Sequence, residues 1–397
     1  MNDYDVIIAG GGPAGATAAY FLTRAGKHVL VVEKDTLPRY KACGGGLSLE
    51  FLKNIFPFSF DEVIDTRIDR VHYHYDGFQA SVACRPGVMA MVMRNRFDKF
   101  ILDKADCEVI QDDAVSKVEE SGSGVSILLS SGKDFSAGFL IAADGANSII
   151  RRQSGLHRQQ RFIAAIEAEI PLTGDLKARC SDGPTFIFGK PRAGYSWIFP
   201  KTDFLSVGIG VLGHAPDLRG DLVRIMQNYG ISLDGVKLHG HLIPVYDPEA
   251  VLSTERILLT GDAAGLADPF SGEGIRPAIK SGSIAARSIL GDSVMDYTEA
   301  IRQQIGRRNK KSLFLWKVFL PLREICLFLG APNPFTTEAI LEMLSGRHSS
   351  LYVAGWSFIT MWYYVPVAAL GKIIQWIAGN KARVKFLRSL FPTIPVV

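Results

Sequence analysis

Three glycines, spaced as Gly10-x-Gly12-x-x-Gly15, follow the apolar run Tyr4-Asp-Val-Ile-Ile-Ala and open onto Pro13-Ala-Gly-Ala-Thr-Ala-Ala. The spacing suits a dinucleotide. Gly10 permits a sharp turn, Gly12 lets the backbone approach a pyrophosphate, and Gly15 lets a following helix pack on the strand. Unpaired N–H groups at that helix N-terminus attract phosphate anions. A second apolar run, His28-Val-Leu-Val-Val, ends on Glu33, 18 residues beyond Gly15. A carboxylate at that distance accepts a ribose hydroxyl and repels a 2′-phosphate. The expected adenosine is therefore unphosphorylated.

Two further stretches end a buried strand on an acid and a turn. One is Phe139-Leu-Ile-Ala-Ala-Asp144-Gly145. The other is Arg256-Ile-Leu-Leu-Thr-Gly-Asp262-Ala-Ala-Gly265, continuing to Gly272-Glu-Gly274-Ile275. Here a carboxylate follows the strand and glycines open the next helix. Such an arrangement holds a ribityl chain and sets a helix N-terminus near the pyrimidine edge of a flavin, where it stabilises the anionic reduced ring. Cys43-Gly44-Gly45-Gly46 supplies flexible backbone able to lie against a flat ligand. Tyr195, Trp197 and Phe199 alternate, so a strand would carry them on one face.

Two look-alikes are set aside. Gly208-Ile-Gly210-Val-Leu-Gly213 repeats the glycine spacing inside an alternating strand, without a strand-terminal acid, and reads as small residues on a sheet face. No second nucleotide domain is then expected, and electrons would come from a transiently bound NAD(P)H or from a protein donor such as ferredoxin. His239-Gly-His241 has no acid or cysteine at ligand spacing, so no metal is expected.

The elements that must position these groups follow from the apolar patterning. Strands are expected at 4–10, 28–33, 107–111, 139–143 and 256–260, with helices after the glycine turns. A β-rich block spans 160–250, and from about Asp296 onward the pattern is helical with prolines as breaks. The predicted organisation is a discontinuous nucleotide domain (1–66, 90–160 and 250–300), a β-rich substrate domain (67–89 and 161–249) and a helical region (301–397). At 397 residues the chain can bury a large core. Five scattered cysteines with no CxxC suggest neither a disulfide framework nor a zinc site.

These motifs together resemble the FAD-dependent oxidoreductases of the p-hydroxybenzoate hydroxylase fold, over residues 1–300. Two stretches resemble the geranylgeranyl reductase family in particular. One is Cys43-Gly-Gly-Gly. The other is Pro191-Arg-Ala-Gly-Tyr195-Ser-Trp197-Ile-Phe199-Pro200-Lys201, similar to that family's P-x-x-Y-x-W-x-F-P signature with one extra residue after Pro191. The resemblance implies an α/β (α+β overall) fold: a Rossmann-like FAD-binding domain, an inserted antiparallel β substrate domain and a C-terminal helical region. It implies that Gly10, Gly12, Ala14 and Gly15 meet the pyrophosphate and Glu33 the adenosine ribose. Cys43, Gly44 and Gly46 would line the isoalloxazine, and Arg94 would meet the phosphate or ribityl region. The backbone of Ala114 would contact adenine, Asp262 would lie near ribityl and pyrophosphate, and Gly274 and Ile275 would reach the flavin ring.

The implied activity is reduction of isolated C=C bonds in a polyprenyl group. Tyr195 and Trp197 would stabilise cationic character through their π faces, and Cys43 is a candidate proton source. A monooxygenase or halogenase of the same fold is the alternative, as is a non-redox isomerase or cyclase. The stretch Tyr195 to Pro200 is loosely similar to the halogenase W-x-W-x-I-P pattern, with Tyr195 in place of the first tryptophan and Phe199 in place of the isoleucine.

Residues 301–397 carry 13 Lys and Arg against Glu324, Glu338 and Glu342, whereas the whole chain nets only +4. Ser349 to Gly371 is a 23-residue run without charge or histidine, diluted by Ser, Thr, Gly and Pro366. Basic and apolar character combined points to peripheral contact with an anionic membrane rather than to a full span. No nucleic-acid-binding motif is present, so nucleic acid is not an expected partner. The first strand begins near Tyr4, which leaves no room for a signal peptide. The expected location is cytoplasmic, at the inner face of the cell membrane.

Overall fold

The computed structural model describes residues 2–330 except 76–77, 84–88, 158–159, 214 and 292, together with 336, 339, 342–343, 348, 351–360, 362, 366, 369–370, 373–374 and 377. The chain divides into two compact units. The first comprises Met1–Ala42, Met93–Ile163 and Leu242–Lys310, the second Cys43–Val92, Ala164–His241 and Lys311–Val397.

The first unit is built on a parallel sheet. Glu108–Ile110, Val29–Val32, Tyr4–Ala9 and Asp134–Ala142 lie side by side, and Ile257–Leu259 pairs in parallel with Asp134–Ala142. All five expected strands are thus present. Val6 to Ala9 and Val29 to Val32 are fully buried, which is why these strands read as unbroken apolar runs rather than alternating ones. An antiparallel pair, Val115–Ser121 with Gly124–Leu129, extends the sheet beyond Asp134–Ala142.

Helix Pro13–Arg24 starts at Gly12, with proline at its first position, where a missing N–H costs nothing. It packs against helix Ile275–Leu290. The two backbones touch because Gly282 has no side chain: a Cβ there would overlap the Ala14 carbonyl. Gly15 is bounded in the same way by the Gly10 carbonyl. Gly10 itself has φ +104°, a conformation glycine adopts cheaply.

In the second unit, Phe204–Leu212, Gly194–Pro200, Thr185–Phe188, Arg70–Tyr75 and Phe78–Ala83 follow one another in a sheet. Its two faces differ because strand side chains alternate. Ile170, Ile187, Ile198, Leu205, Val207 and Ile209 turn to one side and form a core with Leu222 and Met226 of helix Leu218–Asn228. Aromatic rings occupy the other side. Gly46–Ser48, Met89–Val92 and Ile64–Ile68 form a small separate sheet. Helix Arg307–Gly330 follows, and its Arg323 donates to the Gly189 and Arg192 carbonyls.

No helix among the described residues is long and apolar enough to cross a membrane. Within the 349–371 run, residues 351–360 are helical and Trp356, Phe358, Ile359 and Trp362 are exposed. Much of that run, and the whole basic stretch from 382 on, lies outside the described residues.

Gly282→Ala should cost about 2 kcal/mol, as overpacking does when backbone must move. Gly122→Ala, where a Cβ meets open space, should stay within about 0.5 kcal/mol of the parent. Urea denaturation of both variants checks the contrast.

Candidate functional site

The first unit gathers most of the expected nucleotide-binding residues around the Gly10–Gly15 turn. Glu33 is 3% exposed. One of its carboxylate oxygens accepts from the Gly11 N–H at 2.7 Å, and the other from the Asp35 N–H at 3.2 Å. A carboxylate has further lone pairs, so a hydroxyl can still be accepted. Gly274 immediately precedes helix Ile275–Leu290, and a Cβ there would lie 3.7 Å from Asp262 Oδ1. Asp262, Gly274 and Ile275 thus form one corner of the unit, with Ile275 buried.

Two expected residues are already engaged. Arg94 makes a bidentate pair with the fully buried Asp98, at 2.7 and 2.8 Å. Its Nε and one terminal nitrogen are therefore committed to the protein. The Ala114 N–H donates to Asp113 Oδ1 at 3.0 Å, and the Ala114 carbonyl accepts from Ser130 N–H at 2.8 Å and Ser130 Oγ at 3.2 Å. An adenine contact through that backbone has to compete with these bonds. They arise because Ala114 closes the turn opposite Ser130.

Arg39 was not anticipated from sequence; a basic residue six places after Glu33 was the available sign. Its guanidinium bridges Glu33 at 3.4 Å and Asp98 at 3.3 Å. A Cβ at Gly12 would stand 3.4 Å from Arg39 Nη2. The buried Arg39 Nη1 has no hydrogen-bond partner. Asp144 caps helix Ile149–Gln153 by accepting from the Ile149 N–H at 2.9 Å, while its buried Oδ1 has no partner. Burial holds the Asp144 carboxyl above the usual aspartate range. A buried cationic donor beside a side-chain-free glycine turn, with an unpaired acceptor on the neighbouring strand end, fits a group carrying phosphates and hydroxyls.

The second unit gathers the others. Gly44 lies against the ring wall: a Cβ there would be 2.8 Å from Phe199 and 3.9 Å from the Trp197 indole nitrogen. Gly46 begins strand Gly46–Ser48, and Cys43 is a half-buried free thiol. Tyr195, Trp197 and Phe199 do share one face, with successive centroids 6.1 Å apart. Phe186 joins them from the next strand, 5.6 Å from Tyr195 and 5.0 Å from Phe199, and Tyr73 stacks on Phe186 at 5.7 Å. Gly208 and Gly210 face Trp197 and Tyr195 across the ladder. A Cβ at Gly208 would run into the indole. The second glycine motif is therefore the space into which Trp197 leans, as its place in an alternating strand suggested.

Lys201 and Glu167 are functional candidates that sequence reasoning passed over. Lys201, 2% exposed, donates to the Gly44 carbonyl at 2.7 Å and to the Val92 carbonyl at 3.0 Å. It clamps the Cys43–Gly46 loop, and burial holds its ammonium below the ordinary lysine value. Glu167 is buried on the aromatic face and accepts from Ser206 Oγ at 2.9 Å. Burial pushes its carboxyl up to about 7, against the pull of the Ser206 bond and of Lys201. Its sign in the sequence was a pair of acids, Glu167 and Glu169, inside the otherwise apolar Ile163-Ala-Ala-Ile-Glu-Ala-Glu-Ile170. Among the described residues, no three His, Cys, Asp or Glu side chains cluster as a metal site.

A family profile described as an FAD binding domain matches residues 3–188. The digeranylgeranylglycerophospholipid reductase 2 of Methanothermobacter thermautotrophicus is 30% identical over 375 residues, covering 87% of this chain and 93% of that protein. A menaquinone reductase of Mycolicibacterium smegmatis is 29% identical, covering 75% and 78% respectively. The crystal structure of a geranylgeranyl bacteriochlorophyll reductase-like protein from Thermoplasma acidophilum superposes with a TM-score of 0.73 at 23% identity, over 98% of this chain and 99% of that one.

Arg39→Ala should weaken FAD binding at least about tenfold, the usual loss for a charge-assisted bond to a phosphate. The exposed Arg67→Ala should not, and fluorescence titration of apoprotein compares the two. For Glu167 the sign is fixed by a raised folded pKa. Between its ordinary 4.5 and about 7 the folded state holds a proton that the unfolded state has released. Stability is lost as pH rises through that window, by roughly 3 kcal/mol in all. Glu167→Gln should lack this slope, so its stability relative to the parent should climb between pH 5 and pH 7 and level off above.

Proposed function

Because the chain belongs to the geranylgeranyl reductase family of FAD-dependent oxidoreductases, we propose that it saturates isolated C=C bonds in a polyprenyl group. The carrier would be a lipid, a diphosphate, a chlorophyll precursor or a quinone. The observation that carries this reading is the aromatic face of the second unit. Tyr73, Phe186, Tyr195, Trp197 and Phe199 form a continuous ring surface over three adjacent strands. An apolar ligand with π-electrons matches such a wall, and an isoprenoid chain is apolar along its whole length. The names of the two relatives, one acting on a digeranylgeranyl lipid and one on menaquinone, point the same way.

Bound in reduced form, FAD would be the source of hydride for the alkene. The protein holds the nucleotide through the Gly10–Gly15 turn, Glu33, Arg39 and Asp262. Cys43, Gly44 and Gly46 line the isoalloxazine, and Lys201 keeps that loop in place. Tyr195 and Trp197 press the alkene flat and stabilise the positive character that protonation of its other carbon creates. An unactivated alkene accepts hydride poorly, so tight orientation carries much of the rate and can supply several kcal/mol. Cys43 is the proposed proton source. Electrons enter from NAD(P)H or ferredoxin.

A long-chain substrate resides in a bilayer, and the C-terminal region suits docking there. Helix Arg307–Gly330 turns Lys311, Phe314, Lys317, Val318 and Leu322 outward, an outward stripe of cations and apolar side chains that matches an anionic lipid surface. The protein lies on the membrane in this reading. Sedimentation should show it on phosphatidylglycerol vesicles and not on phosphatidylcholine, and a form ending at residue 305 should lose the preference.

Turnover is tested anaerobically. Chemically reduced protein is mixed with geranylgeranyl-bearing lipids and diphosphates, and product mass is followed. Gains in steps of two hydrogens with reoxidation of the flavin are expected. An unchanged mass, followed by a hydroxylated or halogenated product once oxygen and halide are admitted, would replace this reading with the oxygen-dependent one.

A further inference from the structure

A polar chain runs through the aromatic face of the second unit. Trp197 Nε1–H donates to Ser206 Oγ at 3.2 Å, and the Ser206 hydroxyl donates to Glu167 Oε1 at 2.9 Å. Ser206 is fully buried and Glu167 is 5% exposed. The three residues come from three strands, Gly194–Pro200, Phe204–Leu212 and Arg161–Pro171. Side-chain-free Gly208 gives the indole its berth, and the rings of Tyr195 and Phe199 bound it along the strand. What remains to fix the indole's tilt is its N–H, and that bond ends on the Ser206 hydroxyl, which in turn donates to a carboxyl.

We propose that Glu167, acting through Ser206, is the positioning residue of Trp197, and that its charge sets how firmly and how electron-rich the indole is held against the substrate. The inference rests on the reading of Trp197 as a wall of the prenyl site. With Glu167 ionised, the Ser206 hydroxyl is oriented and polarised, so its oxygen becomes a better acceptor for the indole N–H. A stronger N–H bond raises the π density of the ring, and the ring then stabilises positive character better. With Glu167 protonated, the carboxyl can itself donate to Ser206. The hydroxyl is freed from its orientation and the indole loses its polarised partner.

Among the described residues, Ser206, Lys201 and Glu169 act on this carboxyl besides its burial. Lys201, whose ammonium is directed to the Gly44 and Val92 carbonyls, favours the charged form. Glu169, two residues on along the same strand, opposes it. Burial dominates both and brings the change of charge to about pH 7. The same lysine holds the Gly44 loop against Phe199, so the loop and the indole share one electrostatic environment.

The flavin-loaded protein, labelled with 5-fluorotryptophan, is followed by fluorine NMR from pH 5.5 to 8.5. Trp197→Phe assigns the Trp197 resonance by its disappearance. The expected result is one titration of that resonance with a midpoint near 7, absent in Glu167→Gln and in Ser206→Ala, and retained with a shifted midpoint in Glu167→Asp. Alongside it, kcat/KM of Glu167→Gln on the prenyl substrate should fall about tenfold below the parent at pH 8.5, the loss expected of one charge-assisted bond, and converge on the parent at pH 5.5. A Trp197 resonance that stays still in the parent, or that titrates equally in Glu167→Gln, overturns the proposal. Titration in a protein that reduces no prenyl compound supports the coupling and overturns the substrate assignment alone.

Discussion

The first unit depends on backbones meeting without side chains between them. Gly15 passes the Gly10 carbonyl, and Gly282 passes the Ala14 carbonyl, at separations that a single methyl group would abolish. These two approaches lock one turn and two helices onto the end of the parallel sheet. Three of the groups expected to hold a nucleotide hang on that arrangement: the N–H groups at the start of helix Pro13–Arg24, Glu33 at the end of the next strand, and Asp262 before helix Ile275–Leu290. A fold that must present backbone rather than side chains to phosphates spends its glycines at such positions.

Charge is then added to this backbone scaffold with little excess. Glu33, Arg39, Asp98 and Arg94 alternate in sign along one connected set of ion pairs. Such a set keeps each buried charge compensated. It leaves Arg39 Nη1 unsatisfied on a guanidinium whose other terminal nitrogen borders Gly12, a costly condition for a protein alone and a natural one for a protein that receives an anion there.

The second unit solves a different problem, that of keeping six-membered rings and an indole in register on a sheet. Large and small residues are complementary across the ladder: Trp197 against Gly208, Tyr195 against Gly210, Phe199 against Ser206. The small residues let the large ones lean sideways instead of standing upright. The opposite face, packed under helix Leu218–Asn228, is aliphatic over its core cluster and also carries His74, stacked on Tyr229. One sheet thereby separates a structural core from a surface of specialised chemistry, and Glu167, Ser206 and Lys201 bring the polar groups of that surface.

Local pattern was enough for much of this. The glycine spacing, the strand-ending acids and the unbroken apolar runs announced the parallel sheet and its turns, because each is imposed by neighbours in the chain. The shared face of Tyr195, Trp197 and Phe199 was legible from alternation alone, and Gly208 and Gly210 were legible as sheet residues. What the sequence did not disclose was every relation that spans the chain. Arg39 over Gly12, Lys201 on the Gly44 carbonyl, and Glu167 behind Ser206 and Trp197 join residues from separate segments. The engagement of Arg94 by Asp98 is local, but its consequence, a buried bidentate pair, depends on helix Arg94–Asp103 being packed inward. Periodicity determines which face of an element a side chain takes. Only tertiary packing decides which charge from elsewhere in the chain is buried beside it, and burial is what turns an ordinary lysine or glutamate into a group with a role.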